Sequence, residues 1–251
     1  MKYLINAIGI FTKIKVKFTD WGEGEGPKMM CCFPLIGLIV GSVSAGVGYL
    51  LSLTGIIGEI KAFLMLFSLY SVSGFLHLDG FMDCADALLS ARDMEGKRRI
   101  LKDSGVGAFS VISLALLLIC NYSSLTYITE HFTESLPLLI LAPFASRALS
   151  ALYLFKLREL ETNGLLHYFR QGFKTSHVLW CVFCLFAAAV FACLINFKTL
   201  LALIAGGVFS LLFALRAQRD LGGINGDVTG AAVIIFEAAC YLCSGILGGV
   251  L

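Results

Sequence analysis

Three carboxylates, Asp79, Asp83 and Asp86, fall within the run His77-Leu78-Asp79-Gly80-Phe81-Met82-Asp83-Cys84-Ala85-Asp86. At about 100° per residue, a helix sets Asp83 about 40° from Asp79 and Asp86 about 20° away on the other side. All three then project from one stripe. Carboxylates held so close repel each other unless a cation sits among them, and hard oxygen ligands suit Mg²⁺ or Mn²⁺. The plain alternative is a solvated helix end. Phe75-Leu76 before the run and Leu88-Leu89 after it leave little room for a solvent face.

A basic cluster follows: Arg92, Lys97, Arg98, Arg99 and Lys102. Lys102-Asp103-Ser104-Gly105-Val106-Gly107 then opens an apolar stretch. A Ser-Gly-x-Gly run at a helix start leaves backbone N–H groups free to meet an anion, with a lysine beside them. Arg98 and Arg99 are more simply read as membrane anchors. Lys102, Asp103 and Ser104 read better as chemistry. A carboxylate stripe facing basic, N–H-rich elements suits phosphoryl or nucleotidyl transfer at a membrane surface.

Other candidates are more open. His77 is a base or phosphate ligand, but helical spacing turns it away from the stripe. Arg147 and Glu237 lie inside apolar spans, where a charge costs at least about 2.5–3.5 kcal/mol at the centre. They are functional or paired with each other. Asp220-Leu221-Gly222-Gly223-Ile224-Asn225-Gly226-Asp227 is a second oxygen-ligand cluster or a flexible loop, with Arg216 and Arg219 beside it. Cys181/Cys184 and Cys240/Cys243 have CxxC spacing but no histidine at zinc spacing, so they read as core residues.

These residues must be positioned by a membrane protein. The chain has 251 residues, 58% hydrophobic and 14% charged, with a net charge of +2 and a mean hydropathy of +0.87. The weak net charge argues against nucleic acid. Seven segments are apolar enough to span a bilayer, at about 31–53, 61–78, 106–128, 136–155, 178–195, 200–215 and 228–250. With the N-terminus inside, the inner connections carry sixteen Lys/Arg and the outer ones two, a strong positive-inside bias. The predicted architecture is an all-α polytopic bundle with a cytoplasmic N-terminus. Lys2 to Lys17 reads as an interfacial amphipathic segment, and Trp21 to Pro27 as a loop. Gly37/Gly41/Ala45 and Gly245/Gly249 permit close helix approach or a dimer face, or simply face lipid.

The chain resembles the adenosylcobinamide-GDP ribazoletransferase (cobalamin synthase) family. The resemblance is carried by Leu76 to Ala87, by Leu101 to Phe109, by Ala142-Pro143 with Ser146-Arg147, and by Gly222 to Ala231. Phe11-Thr12-Lys13 and Phe33 to Gly37 add to it, so the matches run in order over nearly the whole chain. Gly105 stands where many relatives have a basic residue, leaving a phosphate contact to Arg99 or Arg147, and Asn225 stands where threonine is common.

The resemblance implies one membrane-embedded transferase domain over 1–251, with 1–30 an amphipathic segment and loop and 79–105 the catalytic connection. It implies joining of adenosylcobinamide-GDP to α-ribazole or its 5′-phosphate, with release of GMP and a need for Mg²⁺, at the cytoplasmic face of the inner membrane. On it Asp79, Asp83 and Asp86 hold the metal, and Lys102, Ser104 and Arg147 stabilise phosphates. Asp103 or Asp227 completes the metal shell or orients the ribazole hydroxyl, while His77 and Asn225 join the substrate-binding set. Membrane lipid, a second copy of the chain and other membrane-bound enzymes of cobalamin biosynthesis are the expected partners.

Two rivals share some of these features. A CDP-alcohol phosphotransferase-like lipid enzyme runs similar chemistry, but its Ala-Arg pair and second aspartate pair are missing from this chain in the expected register. A cation transporter would use Asp79, Asp83 and Glu237 as ion sites, yet it would want acids near the midplane and internal repeats.

Overall fold

A computed structural model describes residues 1–20, 22 and 24–248, with the final helix continuing to Val250. Among the described residues the chain is built from helices, with no strand. In order they are α1 (Lys2–Phe11), α2 (Gly26–Cys31), α3 (Phe33–Ser52), α4 (Gly58–Ser71), α5 (Leu76–Leu89), α6 (Met94–Leu101), α7 (Ala108–Glu130), α8 (Phe132–Lys156), α9 (Leu165–Arg170), α10 (Thr175–Ile195), α11 (Phe197–Leu221) and α12 (Gly226–Val250). Six spans are long and apolar enough to cross a membrane, or seven if the bent pair α4–α5 counts as one. The protein is a multi-pass helical membrane protein, as composition requires.

The second span departs from the expected 61–78. Helix α4 stops at Ser71, and the chain bends by 88° into α5. Gly74 (φ 63°) and Phe75 (φ 61°) both adopt the left-handed conformation there. For a bulky residue such as Phe75 that is strained by about 1–3 kcal/mol. The turn is closed by hydrogen bonds from Gly74 N to Ser71 O (2.9 Å) and from Phe75 N to Tyr70 O (3.1 Å), the way helix C-termini commonly terminate. The acidic stripe therefore rides on a separate helix, packed on α7 and α12.

Helix α8 forms the centre of the bundle. In its most apolar stretch 78% of residues are buried, against 22% for α7 and 28% for α10, which face outward. Small residues on α3 make the central contact. A side chain at Gly37 would collide with the Pro143 carbonyl, and one at Gly41 would stand 2.6 Å from Leu139 O. Pro143 has no N–H to donate back to Leu139, so that carbonyl lies free of its helical partner just where the α3 backbone comes in. Gly37 and Gly41 thus serve helix packing within the chain. Gly245 meets nothing within 4 Å, and Gly249 lies outside the described residues.

At one end of the bundle, α1 covers α2 and α3. The amphipathic segment is helical only to Phe11, after which Lys13 N bonds Val72 O at 2.8 Å. The expected loop is shorter than predicted, because Gly26-Pro27 opens α2 with proline in the first turn, a position where its missing N–H does no harm. Trp21 and Glu23 lie outside the described residues. Further on, Leu160 N to Ile224 O and Ile224 N to Arg158 O, both 2.8 Å, tie the 157–164 loop to the turn before α12.

Candidate active site

Helix α5 brings Asp79, Asp83 and Asp86 to one face, as the spacing predicts. All three line a cavity of about 340 Å³ that they share with Lys102, Asp103 and Ser104. Two segments separated by the basic helix α6 thus meet at one polar pocket. The turn before α12 approaches from the other side. A side chain at Gly80 would stand 2.8 Å from Asp227 Cα, so this glycine lets α12 begin directly against α5. Asp83 consequently feels the charges of Asp227, Asp79 and Asp86 together.

The carboxylates are not equivalent. Asp86 accepts hydrogen bonds from Gly107 N (2.7 Å) and Ser110 N (2.9 Å). It occupies the N-terminus of α7, where unpaired N–H groups and the helix dipole favour a negative charge. Asp103 accepts from Gly105 N at 3.0 Å. The N–H-rich turn expected to hold a substrate anion therefore holds the protein's own carboxylates at these three N–H groups. The carboxylates of Asp79 and Asp83, by contrast, make no hydrogen bond or ion pair among the described residues. They are the unmatched charges of the pocket.

The basic residues divide in the same way. Lys102 lines the acidic pocket and forms an ion pair with Glu161. Arg147 does not line it. Its guanidinium, 2% exposed, bonds Glu237 at 2.6 Å and the Pro143 carbonyl at 3.1 Å. Ser146 Oγ donates to the same Glu237 oxygen at 2.8 Å. The pairing left open by the sequence is the one that forms, and it makes Arg147 a structural cation of the bundle core. Arg99, the other candidate for the contact that Gly105 does not supply, is exposed and 3.9 Å from Glu95. Asp220 and Asp227 do not form a single ligand cluster. Asp220 is taken by Lys97 (3.0 Å), Arg219 (3.2 Å) and Arg216 (3.8 Å), while Arg98 Nε donates to Leu221 O at 2.6 Å. Helix α6 is thereby clamped to the end of α11.

His77 faces away from the stripe, as its spacing suggests. It lines a second cavity of about 350 Å³ together with Asn225 and Asp227. Asn225 caps α12, accepting from Val228 N (3.1 Å) and donating to Asp227 Oδ2 (2.7 Å). Glu161 also lines this cavity, so its pair with Lys102 stands where the two cavities meet. Glu161, Gly80 and Ser110 escaped the sequence reading as participants. Only Gly80 carried a local signal, a glycine inside a helical stripe, where close backbone approach is the usual reason.

Among the described residues, no three carboxylate, imidazole or thiolate groups converge closely enough to enclose a metal ion. The donor chemistry nonetheless fits Mg²⁺, which is commonly held by one or two carboxylates with the remaining positions filled by substrate phosphates and water. Asp79 and Asp83 are two such carboxylates.

Fold and site together define a multi-pass helical membrane protein with a carboxylate-rich pocket at one end of its bundle. The chain belongs to the cobalamin-5-phosphate synthase family, whose model matches residues 3–245. A relative from Clostridium perfringens named adenosylcobinamide-GDP ribazoletransferase is 37% identical over 246 residues, 96% of each chain. Relatives of the same name come from Clostridium botulinum, 33% identical over 238 residues and 94% of each chain, and from Brevibacillus brevis. The latter is 31% identical over 243 residues, 96% of this chain and 97% of its own. No solved structure matches the chain.

Proposed function

We propose that this protein joins adenosylcobinamide-GDP to α-ribazole or its 5′-phosphate and releases GMP, with its acidic pocket facing the cytoplasm. The observation that carries the reading is the unmatched pair Asp79 and Asp83, set beside Lys102 and Ser104 in a chain of this family. The sixteen-to-two distribution of Lys/Arg supports the orientation, because basic loops are retained on the cytoplasmic side.

Release of GMP means that the guanosine-linked phosphate is the leaving group. The acceptor's ribose hydroxyl therefore bonds to the other phosphorus and gives up its proton to solvent, and the phosphoanhydride bond breaks with its electron pair leaving on GMP. Asp79 and Asp83 would hold Mg²⁺ against the diphosphate, where it would neutralise charge and act as a Lewis acid. Lys102 and Ser104 would bind phosphate oxygens, Lys102 exchanging Glu161 for the substrate. Asp227, between the two cavities, would orient the attacking hydroxyl. Asp86 and Asp103 act indirectly, by fixing the turn that presents Lys102 and Ser104.

The test uses the full chain purified in detergent with adenosylcobinamide-GDP, α-ribazole 5′-phosphate and Mg²⁺. GMP and corrinoid product are followed together. Product that disappears both in Asp83→Asn and on chelation supports the reading. Full activity in Asp83→Asn would remove the acidic row from the chemistry. Turnover of a CDP-linked lipid in place of these substrates would overturn the substrate assignment while keeping the phosphotransfer.

A further inference from the structure

The second cavity is built differently from the acidic one, and the proposed chemistry draws on its lining only at Asp227 and Glu161. Its wall is aromatic and aliphatic, with Phe11, Met30, Phe33, Leu154, Leu166 and Phe169 around it. Phe11 lies 4.5 Å from Phe33 and 5.7 Å from Phe169, centre to centre, and Phe33 meets the edge of His77 at 5.8 Å. His77 also lines this cavity, and its Nε2 is buried without a hydrogen-bond partner among the described residues. Ser150 is already used, donating to Thr229 O at 3.0 Å. At the mouth stand Asn225, Asp227 and Glu161, and Asp227 is electrostatically linked to Asp79 across the boundary with the acidic pocket.

We infer that this cavity seats the flat heteroaromatic base of the acceptor nucleoside and thereby sets which base the enzyme accepts. The inference rests on the transferase reading above. Three features select this occupant. A volume of about 350 Å³ lies at the small end of ligand pockets, about 300–1,000 Å³, which suits one nucleoside and excludes a corrinoid ring. Aromatic side chains favour planar ring systems by stacked or edge contacts. A guanine would bring several donors and acceptors against a largely apolar wall, and burying them unpaired is costly. A benzimidazole-type base has few polar atoms, which suits such a wall. A base held here leaves its ribose at the mouth, against Asp227 and beside the acidic pocket where the donor's diphosphate is placed.

The test fills the cavity. Leu166→Trp narrows it, and the milder Phe169→Leu removes one aromatic face while keeping the wall apolar. Steady-state kinetics of the full chain are compared for α-ribazole, for an imidazole riboside with a smaller base, and for adenosylcobinamide-GDP. Leu166→Trp is expected to raise the acceptor KM about tenfold and leave the donor KM within about twofold. It should also shift preference toward the smaller base. Phe169→Leu is expected to raise the acceptor KM about threefold, and this variant decides the matter if Leu166→Trp does not fold. A rise in the donor KM alone would give the cavity to guanine and overturn the inference. Unchanged constants for both substrates would overturn it as well.

Equilibrium dialysis of labelled α-ribazole against wild type and Leu166→Trp separates this inference from the reaction it rests on. If wild type binds α-ribazole but makes no product, and Leu166→Trp loses that binding, the cavity stands and the reaction falls. Turnover with acceptor binding unaltered in both variants overturns the cavity alone.

Discussion

The charges inside the bundle and those on α5 follow opposite rules. Arg147 and Glu237, 2% and 1% exposed, are matched to each other at 2.6 Å. Ser146 and the Pro143 carbonyl add further hydrogen bonds, and of the guanidinium only Nε is left buried without a partner among the described residues. Asp79 and Asp83, also flanked by apolar sequence, have no such partner among the described residues. A charge surrounded by hydrocarbon must be neutralised within the chain, because nothing else is there to do it. A charge at an open polar pocket can wait for a ligand. Matched charges should therefore report on folding, and unmatched ones on turnover.

The largest effect tests the matched pair. Glu237→Ala leaves a buried guanidinium alone and is expected to destabilise the protein by about 3–5 kcal/mol, read as a lowered unfolding midpoint in detergent. The double variant Arg147→Met with Glu237→Leu should recover most of that loss. If the single variant were as stable as wild type, the distinction between the two regions would fall.

Next in size, Asp83→Asn should keep the wild-type unfolding midpoint and lower turnover by about a hundredfold or more, the scale on which lost electrostatic stabilisation of a transition state is felt. A lowered midpoint would place Asp83 among the structural charges.

Asp86 sharpens the comparison, since it lines the acidic pocket yet bonds the backbone of α7. Asp86→Ala is expected to destabilise by about 1–2 kcal/mol, as loss of a helix-capping group does. Added Mg²⁺ should not restore that stability. Gly107→Ala should resemble it, because the added methyl would run into the Asp86 carboxylate. The smallest effect is expected at the clamp between α6 and α11. Asp220→Asn should lower stability by about 1 kcal/mol or less, measured by the same unfolding assay, with KM for both substrates within about twofold of wild type.

Local rules made the acidic row legible. Three aspartates at helical spacing on α5 need only the 3.6-residue period to be placed on one face, and that period does not depend on neighbours. The spans were legible for a similar reason, since hydrocarbon thickness sets their length. The second span failed at its end because the chain turns through left-handed Gly74 and Phe75, closed by the Phe75 N to Tyr70 O bond and met there by Lys13 N on Val72 O, and no hydropathy window registers a bend. The role of Asp86 was hidden because the N–H groups it meets belong to residues 107 and 110. From the sequence those groups seemed available to a substrate.

By itself, then, the sequence determined a multi-pass helical membrane protein with a carboxylate row and the family to which it belongs. Composition and short-range periodicity are properties of the chain before it folds. Only the tertiary structure decided which charges are matched, that Arg147 serves Glu237, and that an apolar cavity opens beside the acidic pocket. Each of these depends on residues up to 90 positions apart, such as Arg147 and Glu237, brought together by glycines that let the helices touch. Contacts of that range are set by how the helices pack, and no local stretch of sequence encodes them.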